Sequence, residues 1–257
     1  MLRSIRVVKV GGHEVDDAGW IALLARALQS SSEPTVLVHG GGKEISELQH
    51  TLGATPEWRG GLRVTTPEAL RAAAMVLSGV VNKRLVSGLL SAGADAVGIS
   101  GEDSSLLLAE PAEGGALGRT GTIVSVRPGI LDTLLQAGHL PVVSPVSRGT
   151  DAKPLNVNAD DAAAALALAL GARRFQMISN VPGLLIDGAV ASRIDVSDVD
   201  HLISSGVASG GMGPKIRAAA RAAEGGVPEV WIGGLDLITS GSGGTRVTSR
   251  LPLAASA

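Results

Sequence analysis

The chain has 257 residues, with 22 basic and 24 acidic side chains, no Cys, no Tyr, one Phe and three Trp. This excludes a disulfide scaffold, a thiolate metal site and a cysteine nucleophile, and so little net charge with so few aromatics argues against a nucleic-acid partner. Mean hydropathy is high, +0.30, yet the longest uncharged apolar run, Ala162–Ala172, is too short for ~30 Å of hydrocarbon, so no membrane partner is expected.

The opening MLRSIRVVKVGG has no signal-like apolar region, and a cytoplasmic protein is expected. IRVVKV at 5–10 is β-branched and bounded by Gly11-Gly12, which reads as a buried strand. Residues 16–29 carry Ile21, Leu23, Leu24 and Leu28 at helical spacing. TVLVH at 35–39 is a second strand ending in three glycines, followed by a helix over 44–52 and a loop over 53–61. Thr65 with Glu68 makes a capping-box pattern, and Pro67 suits the first turn of a long helix. Its stripe Leu70, Ala74, Leu77, Val81, Leu85, Leu89 suits either core packing or a homodimer face.

DAVGIS at 95–100 is a third strand. Residues 106–109 and 121–126 read as an antiparallel excursion, 130–137 as a helix and LPVVS at 140–144 as a fourth strand. An Ala/Leu helix over 158–170 precedes RFQMIS at 174–179, the fifth strand. Helices over 196–204 and 216–224 then flank EVWI at 229–232, the sixth. Strands alternating with helices imply an α/β fold around a mainly parallel sheet. A join between two lobes is placed near Gly171-Ala172.

Ligands of such sheets gather beyond the carboxyl ends of strands. Two of those ends carry glycine clusters, at 11–12 and 40–42, where backbone N–H groups can approach an anion. Neither cluster matches the Walker or dinucleotide pattern. Lys9 stands inside an apolar strand, and a buried lysine needs an anionic partner. Lys215 follows Gly210-Gly211-Met212-Gly213-Pro214 at a helix start, against the macrodipole preference for acids there. Asn158 and Asp160 read as an N-cap and a first-turn acid, while Asn156 has no such explanation. Arg63 offers a fork suited to a carboxylate. The five histidines have no metal-ligand spacing, and His39 reads as a loop-orienting residue.

These elements occur as an ordered series: VVKVGG (7–12), VHGGG (38–42), GLRVT (61–65), VNKRLV (81–86), AVGISGED (96–103), LPVVSPV (140–146), NVNAD (156–160), ISNVPGLL (178–185) and GGMGPK (210–215). The series resembles the amino acid kinase family, in its branch that phosphorylates N-acetyl-L-glutamate. The resemblance implies an open αβα sandwich with the carbamate-kinase type of fold. It implies an N-terminal lobe, residues 1–172, for the acyl amino acid and dimerisation, and a C-terminal lobe, residues 173–257, for ATP. The implied reaction moves the γ-phosphoryl group of ATP to the side-chain carboxylate of N-acetyl-L-glutamate, in arginine biosynthesis.

By the same resemblance Lys9 and Lys215 neutralise the transferring group and Asp160 holds both lysines. Gly12, Gly41 and Gly42 supply backbone donors, and Arg63 and Asn156 contact the substrate. Gly11, Ser179, Asn180, Val181, Gly183, Gly211 and Met212 face the nucleotide. Mg²⁺ is expected mainly on the ATP phosphates, with no protein metal site. A start directly at strand one is similar to the dimeric, arginine-insensitive members. Departures stand at Gly60, Asn180 and Gly213. They leave open another acylated glutamate or a carrier-linked aminoadipate as acceptor. A non-catalytic nucleotide or amino-acid sensor is the reading from another class.

Overall fold

The computed structural model describes residues 4–11 and 15–249. Among them, eleven strands form one sheet. They are β1 (Arg6–Val10), β2 (Thr35–His39), β3 (Ala96–Gly101), β4 (Leu107–Pro111), β5 (Thr120–Val126), β6 (Leu140–Gly149), β7 (Pro154–Val157), β8 (Arg174–Ile178), β9 (Arg193–Asp195), β10 (Glu229–Gly233) and β11 (Thr245–Thr248). The order is β9-β11-β10-β8-β1-β2-β6-β4-β5-β7, with β3 also on β6. The centre, from β10 through β8, β1, β2 and β6 to β3, is parallel. The helices are α1 (Ala18–Gln29), α2 (Gly42–Thr51), α3 (Pro67–Ser91), α4 (Gly129–Gln136), α5 (Ala159–Ala169), α6 (Val199–Ser204), α7 (Met212–Glu224) and α8 (Asp236–Ser240).

Two apolar cores, one on each sheet face, make this an αβα sandwich. Val8, Val10 and Leu37 pack with α1, α3 and α8. Val7, Val36 and Val38 pack with α5 and α7. The period-two alternation of strands therefore sends Lys9 to the α5/α7 face and His39 to the α3 face. Helices α5 and α7 are rich in buried alanine, which lets their backbones approach closely. At their far ends a Cβ on Gly225 would stand 2.4 Å from Leu168. The two helices run side by side from there to their N-termini at the glycine-bearing edge of the sheet.

Several expectations are corrected. Thr66, not Thr65, caps α3, accepting from the Ala69 amide at 3.2 Å. Thr65 is instead fully buried beside Asn156. The expected loop 53–61 contains the strand Glu57–Arg59, paired antiparallel with Leu62–Val64; Gly60 and Gly61, both with positive φ, make its turn. Helix α7 starts four residues earlier than Ile216, because Pro214 in a first turn needs no intrahelical donor. Strands β7, β9 and β11, helix α8 and the π-helical segment Met75–Val81 within α3 are not among the expected elements.

By length and composition α3 is long and apolar enough to cross a membrane, although charged residues interrupt its apolar run. Leu70, Leu77, Val81, Leu85 and Leu89 are buried within the chain itself, so this stripe is core, not a dimer face. The sheet also continues across the expected lobe join, since β8 pairs with β1 from Arg6↔Arg174 to Val10↔Ile178.

Candidate active site

A cavity of about 550 Å³ opens at the carboxyl ends of β1, β2 and β8. Its charged residues come from three segments far apart in the sequence. Lys9 leaves β1 on the α5/α7 face, Asp160 lies in the first turn of α5 and Lys215 in the first turn of α7. Each is at least 92% buried. Lys9 Nζ stands 2.8 Å from Asp160 Oδ1, and Lys215 Nζ 3.7 Å from the same oxygen. Burial pushes the Asp160 carboxyl up, but the two lysines outweigh it, and the net shift is downward. One carboxylate thus serves two ammonium groups, all three lining the cavity. Such a cluster suits a polyanion.

Gly40, Gly41 and Gly42 line the facing wall, where β2 turns into α2. A Cβ on Gly41 would come within 3.0 Å of Leu77, so this backbone passes close against the π segment of α3. Asn158 caps α5 through the Asp160 and Asp161 amides, which fixes the start of the helix that carries Asp160.

Arg63 is buried at the end of the 57–64 hairpin. It donates to Gln49 Oε1, to Ser46 Oγ at 2.8 Å and to the Gly42 carbonyl at 2.8 Å. Trp58 covers its guanidinium at 4.3 Å. Burial lowers the Arg63 pKa to about 10, which leaves it cationic at neutral pH. Asn156 donates to Thr65 Oγ1 at 3.1 Å. The Thr120 hydroxyl donates to the Arg63 carbonyl and also lies against Thr65. At the hairpin tip Gly61 meets Pro214, where a Cβ would be 3.1 Å from the ring. The hairpin therefore touches the same turn that carries Lys215.

The structure gathers Lys9, Gly11, Gly41, Gly42, Arg63, Asn156, Asp160, Ser179, Asn180, Val181, Gly211, Met212 and Lys215 around this one cavity. Gly183 is not in its lining. A Cβ there would meet Thr245 Oγ1 at 2.7 Å, so Gly183 shapes the loop through a close backbone approach. Gly12 lies outside the described residues. Sequence reasoning missed Trp58, Thr120 and Asn158 as lining residues. Asn158 carried a signal as a helix cap; Thr120, just before the expected excursion at 121–126, carried none.

Comparison with known proteins agrees with this arrangement. The profile of the amino acid kinase family matches residues 4–234. An acetylglutamate kinase of Roseiflexus sp. (strain RS-1) is 47% identical over 252 residues, 97% of this chain and 96% of that protein. A crystal structure of smu.665 from Streptococcus mutans UA159 superposes with a TM-score of 0.83 at 28% identity, covering 95% of this chain and 98% of that one. The fold is also that of carbamate kinase from Giardia lamblia bound to AMP-PNP, with a TM-score of 0.73 at 18% identity over 97% of this chain and 100% of the other. With its parallel sheet, its two glycine-edged strand ends and its lysine pair in one cavity, the chain belongs to the amino acid kinase family.

Proposed function

We propose that this chain transfers the γ-phosphoryl group of ATP to the side-chain carboxylate of N-acetyl-L-glutamate. The products are N-acetyl-L-glutamyl 5-phosphate and ADP, a step of arginine biosynthesis. The observation that carries this reading is the single Asp160 carboxylate shared by two buried lysines at the cavity floor. The 47% identity to an acetylglutamate kinase supports the choice of acceptor.

The acceptor carboxyl, with a reference pKa near ~4.3, is ionised at neutral pH and needs no general base. One of its oxygens bonds to the γ-phosphorus as the bond to the β–γ bridging oxygen breaks, and ADP leaves with that electron pair. The obstacle is repulsion between two anions, so catalysis is positioning and charge neutralisation. Lys9 and Lys215 neutralise the phosphoryl oxygens, and Asp160 holds both ammonium groups in register. The Gly41 and Gly42 amides add fixed donors. A guanidinium has five N–H donors; Arg63 gives three to α2 and its glycine turn, and in this reading its positive charge in the cavity wall draws the substrate's α-carboxylate. Asn156 contacts the acylamino region.

In this reading Gly11, Ser179, Asn180, Val181, Gly211 and Met212 face the nucleotide, and Gly183 shapes the loop beside them. In this reading residues 1–172 hold the acyl amino acid and residues 173–257 the ATP. Among the described residues no group of three or more His, Asp or Glu side chains is placed to hold a metal ion. Asp160 is already engaged by the lysines. In this reading Mg²⁺ is carried on the phosphates of the nucleotide substrate.

A homodimer also belongs to the reading. Met75, Val80 and Leu90 of α3 are exposed apolar residues that a second copy would cover. Light scattering at micromolar concentration tests this, and a monomer there removes the dimer. The reaction itself is tested by ADP release with N-acetyl-L-glutamate, N-succinyl-L-glutamate, free glutamate and an aminoadipate derivative. N-acetyl-L-glutamate should give the highest kcat/KM; preference for another acceptor would displace this reading.

A further inference from the structure

His39 is fully buried at the end of a strand whose other residues serve the cores, and the reaction described above does not use it. A polar ring in such a place costs free energy unless both its nitrogens are bonded. Both are. Nδ1 lies 3.0 Å from the Gly40 carbonyl, and Nε2 lies 3.2 Å from Asn82 Nδ2. A carbonyl only accepts, so Nδ1 carries the proton. Nε2 is then the acceptor, and the Asn82 amide donates to it. Asn82 is itself fixed, because it also donates to the Val142 carbonyl at 2.9 Å. It is wedged so closely onto β3 that a Cβ on Gly98 would overlap it.

The consequence runs through the planar peptide, in which C=O and N–H point opposite ways. With the Gly40 carbonyl drawn toward the buried imidazole, the Gly41 N–H is turned away from it, to the side where Gly40, Gly41 and Gly42 line the cavity. The next peptide is set from the helix. The Gly41 carbonyl accepts from the Ile45 amide at 3.0 Å, so the Gly42 N–H projects out of the N-terminus of α2. Beneath the loop, the π segment presses Leu77 and Val81 against Gly41 and blocks retreat of the backbone. Segments of this kind occur often at functional sites.

We infer that His39 is a positioning residue for phosphoryl transfer: held by Asn82, its Nδ1–H fixes the Gly40 carbonyl and so aims the Gly41 amide at the reacting groups. The inference rests on the proposed kinase reaction for its activity readout. It separates the two ring nitrogens. His39→Asn keeps an N–H near the Nδ1 position. His39→Gln keeps an acceptor near the Nε2 position. His39→Leu keeps neither.

The experiment measures kcat and both KM values by ADP release from ATP and N-acetyl-L-glutamate for the wild type and these three variants. It also records the amide shifts of Gly41 and Gly42 in ¹⁵N-glycine-labelled protein. His39→Asn should stay within about threefold of the wild-type kcat. His39→Gln and His39→Leu should lose at least ~10-fold in kcat with both KM values nearly unchanged, as for misaimed transition-state donors. The Gly41 shift should move in those two and not in His39→Asn. Equal kcat losses in all three, a Gln variant more active than the Asn variant, or a loss confined to KM would overturn the inference. If His39→Leu does not fold, the Asn and Gln variants decide. A wild type that makes no ADP with this acceptor would sink the kinase reading, while the Gly41 shifts would still decide the role of His39.

Discussion

Strand β1 carries two buried cations three residues apart, and they do opposite things. Arg6 points to the α8 face, where it donates to Thr35 Oγ1 at 3.1 Å and to the Ile238 carbonyl at 3.3 Å. Around it Glu33, Arg174 and Glu229 form ion pairs that lead to the surface. Lys9 points to the other face, shares one carboxylate with Lys215 and faces a cavity. The first arrangement is a clamp between the sheet and a short helix. The second sets two ammonium groups on one carboxylate in the wall of a cavity. Burial alone does not mark a functional cation; a buried cation cluster lining a cavity does.

The largest effect that could break this contrast is on turnover. Lys9→Ala or Lys215→Ala should lower kcat by at least ~10²-fold, the scale of one preorganised electrostatic group. Near-normal ADP release in either variant would remove the lysines from the reaction. Arg6→Leu should leave kcat within about twofold but lower stability by about 1–3 kcal/mol, since buried hydrogen bonds to Thr35 and Ile238 are lost. Chemical denaturation reads the second number; a large kcat loss would merge the two clusters into one functional unit.

The pH dependence of stability separates other regions. Burial pushes the His39 imidazole from 6.5 down to about 4. The folded state then holds it neutral while the unfolded chain takes up a proton. Its contribution is complete above pH 6.5 and is lost as pH falls toward 4, about 3 kcal/mol by linkage. Asp160, whose pKa is lowered from 3.8, contributes stability that is present above that value and lost below it. Denaturation midpoints from pH 7 to 4 should therefore fall in the wild type and fall less in His39→Leu. Parallel curves would contradict this.

Smaller effects sharpen the picture. Arg63→Ala should raise the KM for the acyl amino acid by roughly 10-fold or more and spare that for ATP, as loss of a binding contact does. A rise confined to the ATP KM would move Arg63 to the nucleotide side. Thr66→Ala should cost about 1 kcal/mol through loss of the α3 cap, while Thr65→Ala tests the buried network instead.

What was legible in the sequence follows the range of the interactions. The alternation of strands and helices showed the sheet, because β-branched runs such as TVLVH and apolar stripes such as Leu70–Leu89 are local signals. The glycine clusters and the misplaced lysines pointed to an anion site for the same reason. That Lys9, Asp160 and Lys215 meet was implied only by family resemblance, since the close passage of α5 along α7 is a tertiary fact. The 57–64 hairpin was hidden by its glycines, which read as loop but serve as its turn. The π segment has no composition of its own; the structure shows it where Leu77 and Val81 lie close under Gly41. His39 was read as orienting a loop; which nitrogen does so required its two partners.

The central claim is that a carboxylate, not a hydroxyl or water, receives the phosphoryl group in front of the two lysines. Hydroxylamine trapping tests it most directly, because acyl phosphates form hydroxamates and phosphate esters do not. With ATP, Mg²⁺ and N-acetyl-L-glutamate, the wild-type chain should yield one hydroxamate for each ADP, and Lys215→Ala at least ~10²-fold less of both. ADP released without hydroxamate would contradict the account.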